Sequence, residues 1–204
     1  MKNFIAAFFV LTILISCDTD IPRTEGESGI IPNNSSSKEI GPNEGHNGIG
    51  FAMSQSDIEK LGFVCKPSDL KPTLSFDWGV AAICAHREMI GNAFGYKTRD
   101  YIVAIGKDGK IGHILASFAE ITSLSDYLDL TSKVDHFYPI KEENDEQDAI
   151  LGKAGWMADR WRANNNSALE LLYMDGAPPL SKEKISVYFI SPHRINKEDA
   201  AQAN

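Results

Sequence analysis

An α+β fold, an antiparallel sheet packed by a short N-terminal helix and one longer C-terminal helix, is what this 204-residue sequence predicts. Three observations carry the expectation. A capped but very short helical signal lies at 53–62, and apolar runs bounded by turn residues follow it. A 3.6-residue apolar period then covers 145–163. Hydrophobic content of 43% with 24% charged residues is ordinary for one folded domain.

The first helix is written in "AMSQSDIEKLGF". Ser54 takes the N-cap and Asp57 the position three residues on, a variant of the capping box. Met53 and Ile58 occupy the two positions of a hydrophobic staple, and Gly62 sits where a left-handed turn commonly ends a helix. A helix of about seven residues has no stability of its own, so Ile58 and Leu61 must pack on something larger.

Strands supply that support. "GVAAICAHREMIG" (79–91) is strand-forming, and "YIVAIGKDGKIGHILASF" (101–118) reads as a hairpin. Its arms are Tyr101–Ile105 and Ile111–Phe118, turning around Asp108-Gly109 between apolar runs. The Gly-x-x-Gly pattern there has no helix after it, so a turn is expected and not a phosphate loop.

Further on, "EENDEQD" (142–148) holds five acids in seven positions. It lacks EF-hand spacing and a glycine turn. Asn144 is a candidate cap for a helix whose acidic first turn suits the macrodipole. That helix, roughly 145–163, carries Ile150, Ala154, Met157 and Trp161 on one stripe, with "NNN" at 164–166 ending it. "ALELLYM" (168–174) and "KISVYFIS" (184–191) read as two strands, the second apolar on both sides and so covered on both faces. The last dozen residues are polar and read as frayed. One domain over 49–204 is preferred to two modules divided near 119–122, because each half alone buries little.

The N-terminus has another character. Lys2 precedes a nearly continuous apolar run from Phe4 to Ile15, about a dozen residues where a bilayer span needs roughly 20. This is the pattern of an export signal over residues 1–16. The cut site Leu14-Ile15-Ser16-Cys17 resembles the lipobox of bacterial lipoproteins. The resemblance implies that Cys17 becomes the first mature residue, is lipidated, and anchors the chain to a membrane on the periplasmic side of the cell envelope. An aspartate after that cysteine, as at Asp18, resembles the enterobacterial signal for the inner membrane. Residues 17–48 are rich in Gly, Pro, Ser, Asn and acids, and they read as a flexible tether.

Cys65 and Cys84 remain, and in an exported chain such a pair is most simply a disulfide. Two reduced thiols are the alternative; a metal pair lacks the Cys-x-x-Cys or histidine spacing it needs. "GFAMS", the capped helix, Gly then Cys, a second Cys and antiparallel strands together resemble one module of the β-lactamase-inhibitor-protein fold. The SmpA/OmlA envelope lipoproteins share that layout. The likeness runs from about Gly50 to Phe118, and it implies a module that binds proteins and does not catalyse.

The search for chemistry returns little. His46, His86, His113, His136 and His193 include no pair four apart, and no Gly-x-Ser-x-Gly elbow occurs. Cys84-Ala85-His86 is the nearest approach to a thiol beside a base, and a disulfide would consume the thiol. No cofactor or metal is expected. Net charge is −8, and near −9 once Lys2 is removed with the leader, which disfavours nucleic acid and favours a basic partner. The leading expectation is a lipid-anchored protein-binding module, most concretely an inhibitor or immunity protein against an envelope-acting enzyme. An accessory lipoprotein in envelope assembly or maintenance is the alternative. Trp78, Tyr96, Arg99, Trp156 and Arg160 are candidate interface anchors by type.

Overall fold

The computed structural model describes residues 44–68, 79–142, 156–174 and 184–202. Eleven strands and three helices follow along the described chain. β1 (Gly45–His46) and β2 (Ile49–Gly50) form a hairpin, followed by α1 (Gln55–Lys60). Next come β3 (Val64–Pro67), β4 (Val80–His86), β5 (Gly91–Ala93), β6 (Tyr96–Gly106) and β7 (Ile111–Phe118). α2 (Leu124–Phe137), β8 (Ile140–Glu142), β9 (Trp156–Arg162), β10 (Ala168–Met174), β11 (Ile185–Ile190) and α3 (Pro192–Gln202) complete the order.

α1 forms as its sequence dictates. The Ser54 side chain accepts from the Asp57 N–H, and the Asp57 carboxylate accepts from the Ser54 N–H at 3.1 Å. Ile58 is fully buried, and Met53 packs against the same core.

Beyond the small β1–β2 hairpin lies one antiparallel sheet in the order β3-β4-β6-β7-β11-β10-β9-β8, with β5 paired to β6. Cys65 stands directly opposite Cys84 across β3 and β4, with the two sulfurs at bonding distance, 2.03 Å. The β6–β7 hairpin turns around Asp108-Gly109 as expected, though β6 begins five residues earlier, at Tyr96. β10 and β11 pair from Ala168↔Ile190 to Tyr173↔Ile185, and every residue in both is buried.

Register sorts the side chains onto two faces. Val103, Ile114, Phe189, Leu169 and Trp161 lie in one row across five strands, all fully buried. α2 covers this face with Tyr127, Leu130 and Val134, each 0% exposed. Burying such side chains contributes about 1.5–3 kcal/mol apiece, which fixes the helix in place. The opposite face carries Ile102, Leu115, Tyr188, Glu170 and Arg160 in the next row, and α3 adds Ile195 to a smaller apolar cluster there.

Four expectations are corrected. Residues 44–48 are not tether: Gly45 and His46 are buried in a hairpin that turns through Asn47 (φ +49) and Gly48 (φ +80). The ordered chain thus starts before Ile49. The helix expected over 145–163 is a strand from 156 to 162, and 143–155 lie outside the described residues. There Met157, Asp159 and Trp161 take one face and Trp156, Ala158, Arg160 and Arg162 the other, so Met157 and Trp161 share a face through the strand's period of two. Ile150 and Ala154 lie outside the described residues. The longer helix is instead α2, in a segment given no element from sequence. The polar C-terminus is also helical: Ser191 caps α3 by accepting from the Arg194 N–H at 3.2 Å, and Pro192 opens the first turn.

Candidate binding surface

α2 begins with the same chemistry as α1. The Ser123 side chain accepts from the Asp126 N–H, and the Asp126 carboxylate takes the Ser123 N–H at 2.9 Å. The Ser123 hydroxyl, donating to the Asp126 carboxylate at 2.7 Å, and then the Ser123 and Thr122 N–H groups hold that carboxyl below its ordinary value. With Tyr127, Leu130 and Val134 fixed on the sheet, the helix's other residues are set outward. Leu124 is 44% exposed, Leu128 54% and Phe137 50%. Among the described residues seven large apolar side chains are exposed, and four lie on α2 or, as Ile140, three residues beyond its end. Scattered exposed leucines are normal; a concentration on one helix is informative.

Polar networks brace both flanks of this helix. On one side the Tyr96 hydroxyl donates to Asp129, and the Lys133 ammonium reaches Asp129 at 2.8 Å and the Tyr96 oxygen at 3.0 Å. The same ammonium lies 4.1 Å over the Tyr96 ring. Its partners hold the Asp129 carboxyl down and push Lys133 up, Lys133 and Asp129 each being the first cause for the other. On the other side Tyr127 donates to Asp159 at 2.7 Å, Lys141 pairs with Asp159 at 2.7 Å, and the Trp161 indole donates to Asp135 at 2.6 Å. The helix is therefore a rigid rib with a set orientation.

Phe94 extends the surface. It lies 5.7 Å from Phe137, ring centre to ring centre, in the two-residue turn that links β5 to β6. Phe94 (φ +54) and Gly95 (φ +86) both take left-handed backbone, the signature of a turn that favours Asn-Gly. A bulky aromatic at positive φ is an outlier, held here by strand pairing and by Asn92, whose side chain accepts from the Gly95 N–H at 3.1 Å.

The second face of the sheet gathers the ionisable groups most open to a catalytic reading: His113, Arg160, Glu170, Tyr188 and Arg194. The four last are 5–8% exposed. Burial first, then Arg194 and Arg160, holds the His113 imidazole well below its ordinary value; burial and then Glu170 push Tyr188 up. The surrounding charges are matched in sign: Arg160 Nε lies 3.1 Å from Glu142, and Arg162 grips Asp199 through two bonds of 2.8 Å. This network ties β8, β9 and α3 together.

The anticipated positions distribute unevenly. Cys84 is bonded to Cys65 and His86 stands edge-on to Phe63 at 5.3 Å, so the Cys-Ala-His stretch offers no thiol. Of the four candidate anchors among the described residues only Tyr96 lies on the α2 surface. Arg160 is buried, Trp156 is half-buried on the second face, Arg99 pairs with Asp100 at 3.4 Å, and Trp78 lies outside the described residues, as does Cys17. Phe94, Leu124, Leu128 and Phe137 were not singled out from sequence. "SLSD" at 123–126 ahead of Tyr127, Leu130 and Val134 is the signal that locates their helix. Among the described residues no group of three or more His, Cys, Asp or Glu could hold a metal ion, and no helix is long and apolar enough to cross a membrane. No protein-family model, curated protein or solved structure matches the chain.

Proposed function

We propose that this chain is a lipid-anchored, periplasmic protein-binding module, most concretely an inhibitor or immunity protein against an envelope-acting enzyme. Its contact surface is the exposed part of α2, with Leu124 and Leu128 on one side of the helix and Phe137 with the Phe94 turn on the other. The observation that carries the reading is the concentration of exposed Leu124, Leu128 and Phe137 on a helix braced from both flanks. Rigid apolar anchors of this kind lose little entropy when a partner covers them. The acidic chain favours a basic partner, and the lipobox-like Leu14-Ile15-Ser16-Cys17 supports the anchor. An accessory role in envelope assembly is the second reading, supported by the SmpA/OmlA-like start of the domain.

The test is capture from envelope extract by the chain lacking its leader and Cys17, beside a Leu128→Asp/Phe137→Asp variant. Recovery of one secreted or antibacterial enzyme, inactive while bound and lost with the variant, is the expected result. Recovery of barrel-assembly or cell-wall components would move the chain to the accessory class. Equal recovery by both baits would sink the α2 surface.

A further inference from the structure

We propose that His46 is an acid-released latch, fastening the β1–β2 hairpin to the face of the sheet. The hairpin is small, two residues per strand, and cannot hold itself. Its fixings include a buried Ile49, the Asn47 side chain, which donates to the Ile90 carbonyl at 3.3 Å and bonds the Tyr101 hydroxyl, and His46. Of these the histidine reaches furthest. Its ring stacks on Phe189 of β11 at 4.2 Å and 11°, lies 5.6 Å from the Tyr101 ring of β6, and bonds the Tyr101 hydroxyl through Nε2 at 3.0 Å. One imidazole thus joins the entering chain to two strands separated in the sheet by β7.

The surroundings admit the neutral ring and not the charged one. β11 presents Phe189, β2 presents Ile49, and β6 presents Tyr101 with the Thr98 hydroxyl bonded behind it. Of these only Tyr101 titrates, and burial pushes it up to about 12, so it stays a neutral hydroxyl. The next charged residues of β6, Arg99 and Asp100, pair with each other at 3.4 Å. A protonated His46 would therefore gain no carboxylate from these contacts. Burial takes the imidazole down to about 4, against 6.5 for the released residue. Between those values the released hairpin binds a proton that the docked one refuses. Docking weakens as pH falls, by about 30-fold at pH 5 and by about 300-fold in the limit.

Release would free residues 44–53 and uncover Phe189 and Tyr101. Hydrogen exchange on the full chain tests this, read at the Phe51 amide, which donates to the Glu44 carbonyl at 3.0 Å. From pH 7.5 to 5.0, after correction for intrinsic exchange, hairpin protection should drop about 30-fold while β10 and β11 keep theirs. A His46→Phe variant keeps the stack but cannot titrate, and its hairpin protection should not respond to pH. An equal drop in that variant, or none in the natural chain, would overturn the latch. If His46→Phe fails to fold, an NMR titration of His46 decides: a midpoint of 5 or below upholds the latch, and one near 6.5 refutes it.

Discussion

Phe94→Asn separates a side chain kept for display from one kept for packing. The left-handed backbone at Phe94 (φ +54) costs a residue with a Cβ about 1–2 kcal/mol, and asparagine much less. Against that relief stands the lost contact with Phe137 at 5.7 Å, about 0.5–1.5 kcal/mol for an aromatic pair, and about 1 kcal/mol of apolar burial for a half-buried ring. The terms nearly cancel, so stability should change by less than about 1 kcal/mol, where truncating a buried phenylalanine costs about 3–5 kcal/mol. In urea, followed by tryptophan fluorescence, the midpoint should move by less than about 0.5 M at unchanged slope. A loss of 3 kcal/mol or more would show Phe94 to be a packing anchor and defeat the reasoning. With stability intact, capture of the partner should fall at least tenfold.

Other outcomes follow from the same framework. Replacing Cys65 and Cys84 together by serine removes a link across 19 positions and should cost about 3 kcal/mol, seen as a lower urea midpoint that reductant no longer shifts. Gly91→Ala would place a Cβ 2.1 Å from the Tyr101 hydroxyl and 2.5 Å from the Asn47 amide nitrogen; a loss of about 2 kcal/mol in thermal unfolding is expected, with hairpin protection lost first. Lys197 above all, with His193, holds the Asp108 carboxyl far below its unfolded value of 3.8, so the support it lends α3 is full above that value and lost as pH falls below it. Asp108→Asn should mimic the loss at neutral pH, lowering α3 amide protection about threefold and leaving the sheet unchanged.

What the sequence disclosed was governed by how local the information is. Ser54 and Asp57 carry their bonds within one turn, and Asp108-Gly109 sits between two apolar arms, so both are visible in a few residues. Asn47-Gly48 is an equally strong turn signal, but its strands are two residues long and their fixings, Tyr101 and Phe189, come from 54 or more positions away. β9 was misleading for a physical reason. Its core-facing row includes Asp159, satisfied by Tyr127 and Lys141, and that carboxylate breaks the alternation that marks a strand. α2 was missed although Ser123 and Asp126 carry a local cap signal for it, and its exposed residues had no signal at all, because exposure depends on which flank the sheet leaves open. α3 has a cap and a proline at its start, but among its described side chains only Ile195 is fully buried, too little apolar period to mark a helix.

The neighbour that completes β7 is β11, so residues 113–117 pair with 186–190 at the middle of the sheet and not at its rim. A chain made from its N-terminus must therefore synthesise some seventy residues with the apolar edge Ile111–Phe118 unfilled. The sheet's two halves have no shared hydrogen bonds until the stretch around 185–190 arrives. Its central seam is the last to be stitched in time, and an unfinished product ending before residue 185 would carry an open central edge, ready to pair with another chain.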